Sequence, residues 1–191
     1  MSLPVDSGLL EQFNAAVALA RQGRYQDALD GCTRLMDPVD RGMKHVPIVS
    51  GEFLGSVYMR MAYCLMDLDR YEDALAAFRQ VRLFLSQFED DRLFDFFYSL
   101  GNTLGNLGRI DEMDRAFSKA LSIASEELGD EQRCAVTWHF LMHHAAEHGA
   151  WPYLAKEALH CMQFAQNHGL DSLKAKAAGR YAEAIRGAKA A

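Results

Sequence analysis

Four segments of the sequence share one pattern, and it constrains the fold more than any other feature. They read RQGRYQDALDGC, MDLDRYEDALAAF, GNLGRIDEMDRAF and AEHGAWPYLAKEA. Each holds a turn residue, a spacer and a large apolar anchor: Gly23 and Tyr25, Asp69 and Tyr71, Gly108 and Ile110, Gly149 and Trp151. The anchors recur at intervals of 46, 39 and 41 residues (25 to 71, 71 to 110, 110 to 151). A period in this range marks a repeat architecture, in which each unit buries its apolar face only by stacking on its neighbours.

Three residues after the anchors come Ala28, Ala74, Met113 and Leu154. Seven after come Cys32, Phe78, Phe117 and Ala158, and ten after come Leu35, Val81, Ala120 and Cys161. Steps of three, four and three trace one face of an α-helix. Nine residues before the anchors sit Ala16, Ala62, Gly101 and Met142, and six before sit Leu19, Leu65, Leu104 and Ala145. A second amphipathic helix therefore precedes each anchor, antiparallel to the first across a tight turn. Glycine at the turn can take positive φ and end the earlier helix. Asp27, Glu72, Asp73, Asp111 and Glu112 then face the positive end of the later helix's dipole. Pro152 falls in a first helical turn, where its missing N–H costs nothing.

This periodicity predicts helices near 8–22, 25–36, 50–68, 71–87, 90–107, 110–126, 130–148, 151–167 and 171–188. Ser7, Ser50, Asp90 or Asp91, Asp130 and Asp171 are the expected N-caps. One domain over 1–191 is expected, with hairpins at about 8–36, 50–87, 90–126 and 130–167. The last helix, 171–188, has the mixed polar face of a cap. The connection near 38–49, PVDRGMKHVPIV, accounts for the longest interval, and its Val46, Ile48 and Val49 favour packing on the array.

At these residues the chain resembles the tetratricopeptide repeat (TPR) family. The family signature is a small residue in the first helix, Gly then Tyr at the turn, and Ala then a large apolar residue in the second. The segments around Gly23–Tyr25–Ala28 and Asp69–Tyr71–Ala74–Phe78 match it well. Gly101–Gly108–Phe117 matches with Ile110 for Tyr and Met113 for Ala, and the fourth segment has Met142 where a small residue is expected. The period is nearer ~40 than the usual ~34 residues, and AFSKALSIASEELGD resembles the long second helix of the subclass found in kinesin light chains and bacterial regulators. The resemblance implies an all-α fold: a right-handed α-solenoid of about four TPR-like helix hairpins plus a C-terminal capping helix. It also implies a concave groove, lined by the first helix of each pair, that binds an extended or helical peptide.

In that resemblance the groove positions lie twelve and eight residues before each anchor. Here they are Phe13 and Val17, Met59 and Tyr63, Tyr98 and Asn102, then His139 and His143. Met66, Asp95, Asn106 and Glu147 fall on the same faces. Aromatic residues are enriched at interface cores, and Met suits an adaptable surface. The expected partner is thus a protein or peptide with an apolar or amphipathic segment. The alternative is that these side chains pack against neighbouring helices or the 38–49 connection. No Lys or Arg occupies the eight paired positions, so the basic clamp with which co-chaperones of this family hold Hsp70 or Hsp90 tails is not expected.

Chemistry finds few candidates. WHFLMHHAAEHGAW is the densest ionisable cluster: His139 and His143 are one helical turn apart with Glu147 a turn further, and His144 and His148 form a second pair. Two His at this spacing can hold a metal, but HExxH is absent, and groove lining with a solvated face is the expected reading. No phosphate-binding, nucleophile-elbow or dinucleotide motif occurs, so no enzyme and no cofactor are expected. The net charge of −6 and scattered Lys and Arg argue against nucleic acid or anionic membrane as partner. No run is long and apolar enough for a membrane span. Cys32, Cys64, Cys134 and Cys161 are widely spaced and read as small buried residues of a reducing compartment. MSLPVDSG lacks the pattern of a secretory signal, so a cytoplasmic protein is expected. The expected function is a non-catalytic interaction scaffold or adaptor. The alternatives are a homo-oligomeric structural protein, a homodimer included, and a His-rich metal-binding protein.

Overall fold

The computed structural model describes residues 7–40 and 50–190. Among them lie nine α-helices and no strand: α1 (Ser7–Arg21), α2 (Tyr25–Asp40), α3 (Gly51–Asp67), α4 (Tyr71–Val81), α5 (Asp90–Asn106), α6 (Ile110–Ser122), α7 (Glu131–Glu147), α8 (Trp151–Asn167) and α9 (Asp171–Ala190). No described helix is long and apolar enough to cross a membrane. The packing divides into two compact units, Met1–Arg92 and Leu93–Ala191. In the first, α1 packs on α2, α2 on α3 and α3 on α4; in the second, α6 packs on α7, α7 on α8 and α8 on α9.

The repeat register becomes the core. Ala28, Ala74, Met113 and Leu154 are all 0% exposed. Cys32, Phe78, Phe117 and Ala158 are buried as well, as are Leu35, Val81, Ala120 and Cys161. On the preceding helices Ala16, Ala62, Gly101 and Met142 are buried; so are Leu65, Leu104 and Ala145, while Leu19 is half-buried. The small residues are there for approach: a Cβ on Gly101 would stand 2.7 Å from the Phe117 ring. In the first unit Ala16, Cys32, Leu35, Met36, Phe53 and Val57 form one cluster. In the second, Phe94, Ala120, Ile123, Ala124 and Cys134 form another. All four thiols are free and buried, and burial pushes Cys32 and Cys161 up to about 12 and Cys134 to about 11.

The turns follow their chemistry. Gly23, Asp69, Gly108 and Gly149 have φ of 74°, 56°, 68° and 63°. Asp69 is the unusual one, because a Cβ makes left-handed backbone costly. Its carboxylate accepts a 2.8 Å hydrogen bond from the Tyr71 hydroxyl, which ties the turn to the anchor. An arginine stands just before three of the anchors, and each pairs with an acid three residues on: Arg24 with Asp27, Arg70 with Asp73 and Arg109 with Glu112. These exposed pairs contribute only ~0.2–1 kcal/mol each. Ser50 and Asp130 cap as expected, accepting from the backbone N–H of Phe53 (3.2 Å) and Arg133 (2.9 Å).

Three helix ends differ from expectation. α2 runs to Asp40 through Pro38, beyond its expected end at 36. Proline's fixed φ is helical, and near a helix terminus its missing N–H removes a single bond. The expected 71–87 helix is α4 followed by a 3₁₀ segment, Arg82–Gln87, and the expected 110–126 helix is α6 followed by a π segment, Ile123–Glu127. Apolar periodicity over one turn does not distinguish these hydrogen-bond ladders. The expected packing of Val46, Ile48 and Val49 lies outside the described residues.

Candidate functional site

The residues expected to line the groove sit, in the first compact unit, on α1 and α3. Phe13 is half-buried and meets Phe53 edge-on, with ring centroids 5.5 Å apart. Val17 lies one turn further along α1, also half-buried. Met59 is only 6% exposed and belongs to the core. Tyr63 is half-buried, 6.5 Å from the Phe78 ring, with the Arg60 guanidinium 5.6 Å from its own centroid. Met66 is half-buried at the end of the same face. On each helix about one turn separates each of these from the next, which is why the helix aligns them.

In the second unit the face is carried by α5 and α7. The Tyr98 ring touches Phe94, Phe117 and Phe140, and burial pushes its hydroxyl up to about 12. Asn102 is half-buried, and the exposed Asn106 donates to its carbonyl at 2.9 Å. Asp95 is exposed. His139 is exposed and His143 half-buried, and their rings stack parallel with centroids 6.3 Å apart. His143 Nε2 lies 3.4 Å from Glu147 Oε1. Among the described residues no group of three or more His, Cys, Asp or Glu is placed to hold a metal.

His144 departs from its expected place on a solvated face, for it is 2% exposed. Its Nε2 lies 2.7 Å from Asn102 Oδ1, and its Nδ1 lies 3.5 Å from Glu147 Oε2. Because an amide oxygen only accepts, Nε2 carries the proton. The ring occupies space that a Cβ on Gly105 would fill. One turn on, His148 Nε2 donates to the Gly105 carbonyl at 2.8 Å. The two histidines thus join α7 to α5. Burial, with smaller contributions from neighbouring His143 and His148, lowers the His144 pKa below its ordinary value against the opposing pull of Glu147.

One open cleft includes a predicted residue. It encloses about 670 Å³ between α7 and α9. From α7 it is lined by Glu131, Gln132, Ala135, Val136 and His139; from α9 and the turn before it come Leu170, Asp171, Ser172, Leu173 and Lys176. Val136 is 38% exposed. It lies three residues before His139, so extending the α7 face one turn towards its N-terminus would have found it. The α9 residues had no such signal, because no later anchor sets the register of a terminal helix.

Two stretches, 55–81 and 94–127, match the family model described as tetratricopeptide repeat. They correspond to the α3–α4 and α5–α6 hairpins. No curated protein sequence matches the chain. Among solved structures, the kinesin light chain TPR-like repeats of Podosopora anserina, in a single-site variant, align with a TM-score of 0.68 at 13% identity, covering 96% of this chain and 87% of that one. MamA RS-1 aligns with a TM-score of 0.60 at 12% identity over 98% of both chains. PcrH of Pseudomonas aeruginosa aligns with a TM-score of 0.54 at 17% identity over 75% of this chain and 96% of its own. At such identities the likeness is one of fold. That fold is typically non-catalytic and binds proteins or peptides. The buried register, the two matched hairpins and the shared fold show a tetratricopeptide-repeat-like fold, with the tetratricopeptide repeat itself matched over 55–81 and 94–127.

Proposed function

We propose that the chain is a non-catalytic scaffold or adaptor that holds a partner polypeptide against the inner faces of its odd-numbered helices. The observation that supports this best is the α7–α9 cleft, where Val136 and His139 stand exposed beside Leu170 and Leu173 on an apolar floor. An exposed apolar patch rimmed by polar residues is the kind of surface that marks an interaction site. The half-buried Phe13, Val17, Tyr63 and Met66 and the polar Asn102, Asn106, His139 and His143 extend the same reading to α1, α3, α5 and α7. The partner segment is apolar or amphipathic.

Affinity capture from the native host with the intact chain tests this reading. Wild-type chain is expected to retain one or a few polypeptides, and an Asn106→Arg, His139→Glu double variant is expected to lose them. Capture of no polypeptide, together with turnover of a small substrate, would contradict it. A second reading, self-association, draws on Leu159 and Ile185 of the last two helices, which are 48% and 40% exposed. Sedimentation showing a monomer at micromolar concentration would remove it.

A further inference from the structure

Glu147 faces two imidazoles at once. Its Oε1 lies 3.4 Å from His143 Nε2, and its Oε2 lies 3.5 Å from His144 Nδ1. Glu147 is exposed and His143 half-buried, whereas His144 is buried. With Nε2–H committed to Asn102, the Nδ1 of His144 is a buried acceptor that receives no hydrogen bond. A proton added there would face Glu147 across more than a normal hydrogen-bond length. On the α5 side the ring meets Asn102 and the backbone of Gly105, neither of them charged. On α7 itself, His143 and His148 oppose a charge on the ring and Glu147 favours one, with burial the largest influence against it. Helices α6 and α8, which also pack on α7, contribute none of the charged groups that shift it.

We propose that His144, with His143 and Glu147, forms a proton-operated latch that holds α7 against α5 near neutral pH and releases it in mild acid. While the ring is neutral, it fills the space beside Gly105 and bonds Asn102 at no electrostatic cost. A proton on Nδ1 makes it a cation in surroundings that solvate charge poorly. Glu147 offsets that charge only in part, because it stands in solvent and is shared with His143. Water reaches the cation when the ring leaves its place beside Gly105. The closed form is therefore favoured above the free-imidazole pKa of about 6.5 and loses favour below it. His148 holds the same joint without sensing the proton, because its Nε2–H reaches the Gly105 carbonyl in both the neutral and the charged ring. Asn102 and His143 lie on the expected partner face, so opening would take that part of the face apart. The latch itself does not depend on what the face binds.

The test is hydrogen exchange of the full chain, corrected for the intrinsic pH dependence of exchange, alongside an NMR titration of its histidines. From about pH 7.5 to about 5.5, opening over residues 102–106 and 138–147 should rise severalfold. The ceiling is about tenfold, the limit for one imidazole that titrates freely only in the open form. Helices α3 and α4 of the first unit should show no comparable rise. His144→Gln should remove the acid-driven rise, whatever it costs in stability. Should that variant not fold, two substitutions on the open side of α7 carry the test. Glu147→Gln should move the His144 titration to lower pH and steepen the rise, because it removes the one favourable charge. His143→Gln should move the titration up and flatten the rise, because it removes a like charge. Titration of His144 at or above the free-imidazole value would overturn the proposal. So would a rise that survives His144→Gln, a first unit that opens in step with the second, or a titration that neither Glu147→Gln nor His143→Gln moves.

Discussion

Gly105 lies in the last turn of α5, where alanine would ordinarily favour the helix by up to about 1 kcal/mol. The His144 ring fills the place of that Cβ. Gly105→Ala should therefore destabilise the fold by about 1–3 kcal/mol, the usual cost of overpacking. Gly179, in α9, has nothing within 4 Å of an added Cβ, and Gly179→Ala should stabilise by about 0.5–1 kcal/mol. Urea unfolding of the two variants gives both signs, and a stabilising Gly105→Ala would show that the His144 contact is not there. The same contact explains why the sequence alone points His144 outward. His144 and His148 have the spacing of a surface pair, and nothing in α7 itself reveals that a glycine 39 residues earlier leaves room for a buried ring (105 to 144).

At the scale of helices, the joint between α5 and α7 depends on protonation. His144 is neutral in its burial site, with Nε2–H on Asn102 and Nδ1 unprotonated beside Glu147. Its folded pKa lies below the unfolded value of 6.5. As pH falls through that value, the unfolded chain takes up the proton first, so stability is held above it and declines below it. His139 is shifted in the same direction. The melting temperature should therefore drop as pH falls below about 6.5, and His144→Gln should reduce the slope while lowering stability at neutral pH. A melting temperature that rises on acidification would mean that Glu147 outweighs burial. Most of the helices themselves were legible from the anchors, because steps of three and four fix both which face is buried and where the turn falls. Their ends were less so: the 3₁₀ and π segments after α4 and α6 differ from an α-turn in hydrogen bonding, not in which side chains are apolar.

On the scale of the whole molecule, two hairpins match the tetratricopeptide repeat, and the odd-numbered helices offer half-buried aromatic, amide and imidazole groups. That much of the candidate site was visible in the sequence, since position within the repeat specifies the face. Met59 shows the limit, because a face can turn inward where a neighbour packs on it, and Met59 is 6% exposed. The α7–α9 cleft shows another, because its far wall belongs to the one helix without a following anchor. Hydrogen exchange of the intact chain, with and without its captured partner, tests the central claim most directly. Partner binding should slow exchange in Gly51–Asp67, Asp90–Asn106 and Glu131–Glu147, the helices α3, α5 and α7. Protection confined to Tyr25–Asp40, Tyr71–Val81, Ile110–Ser122 and Trp151–Asn167 would place the partner on the opposite helices and contradict the account.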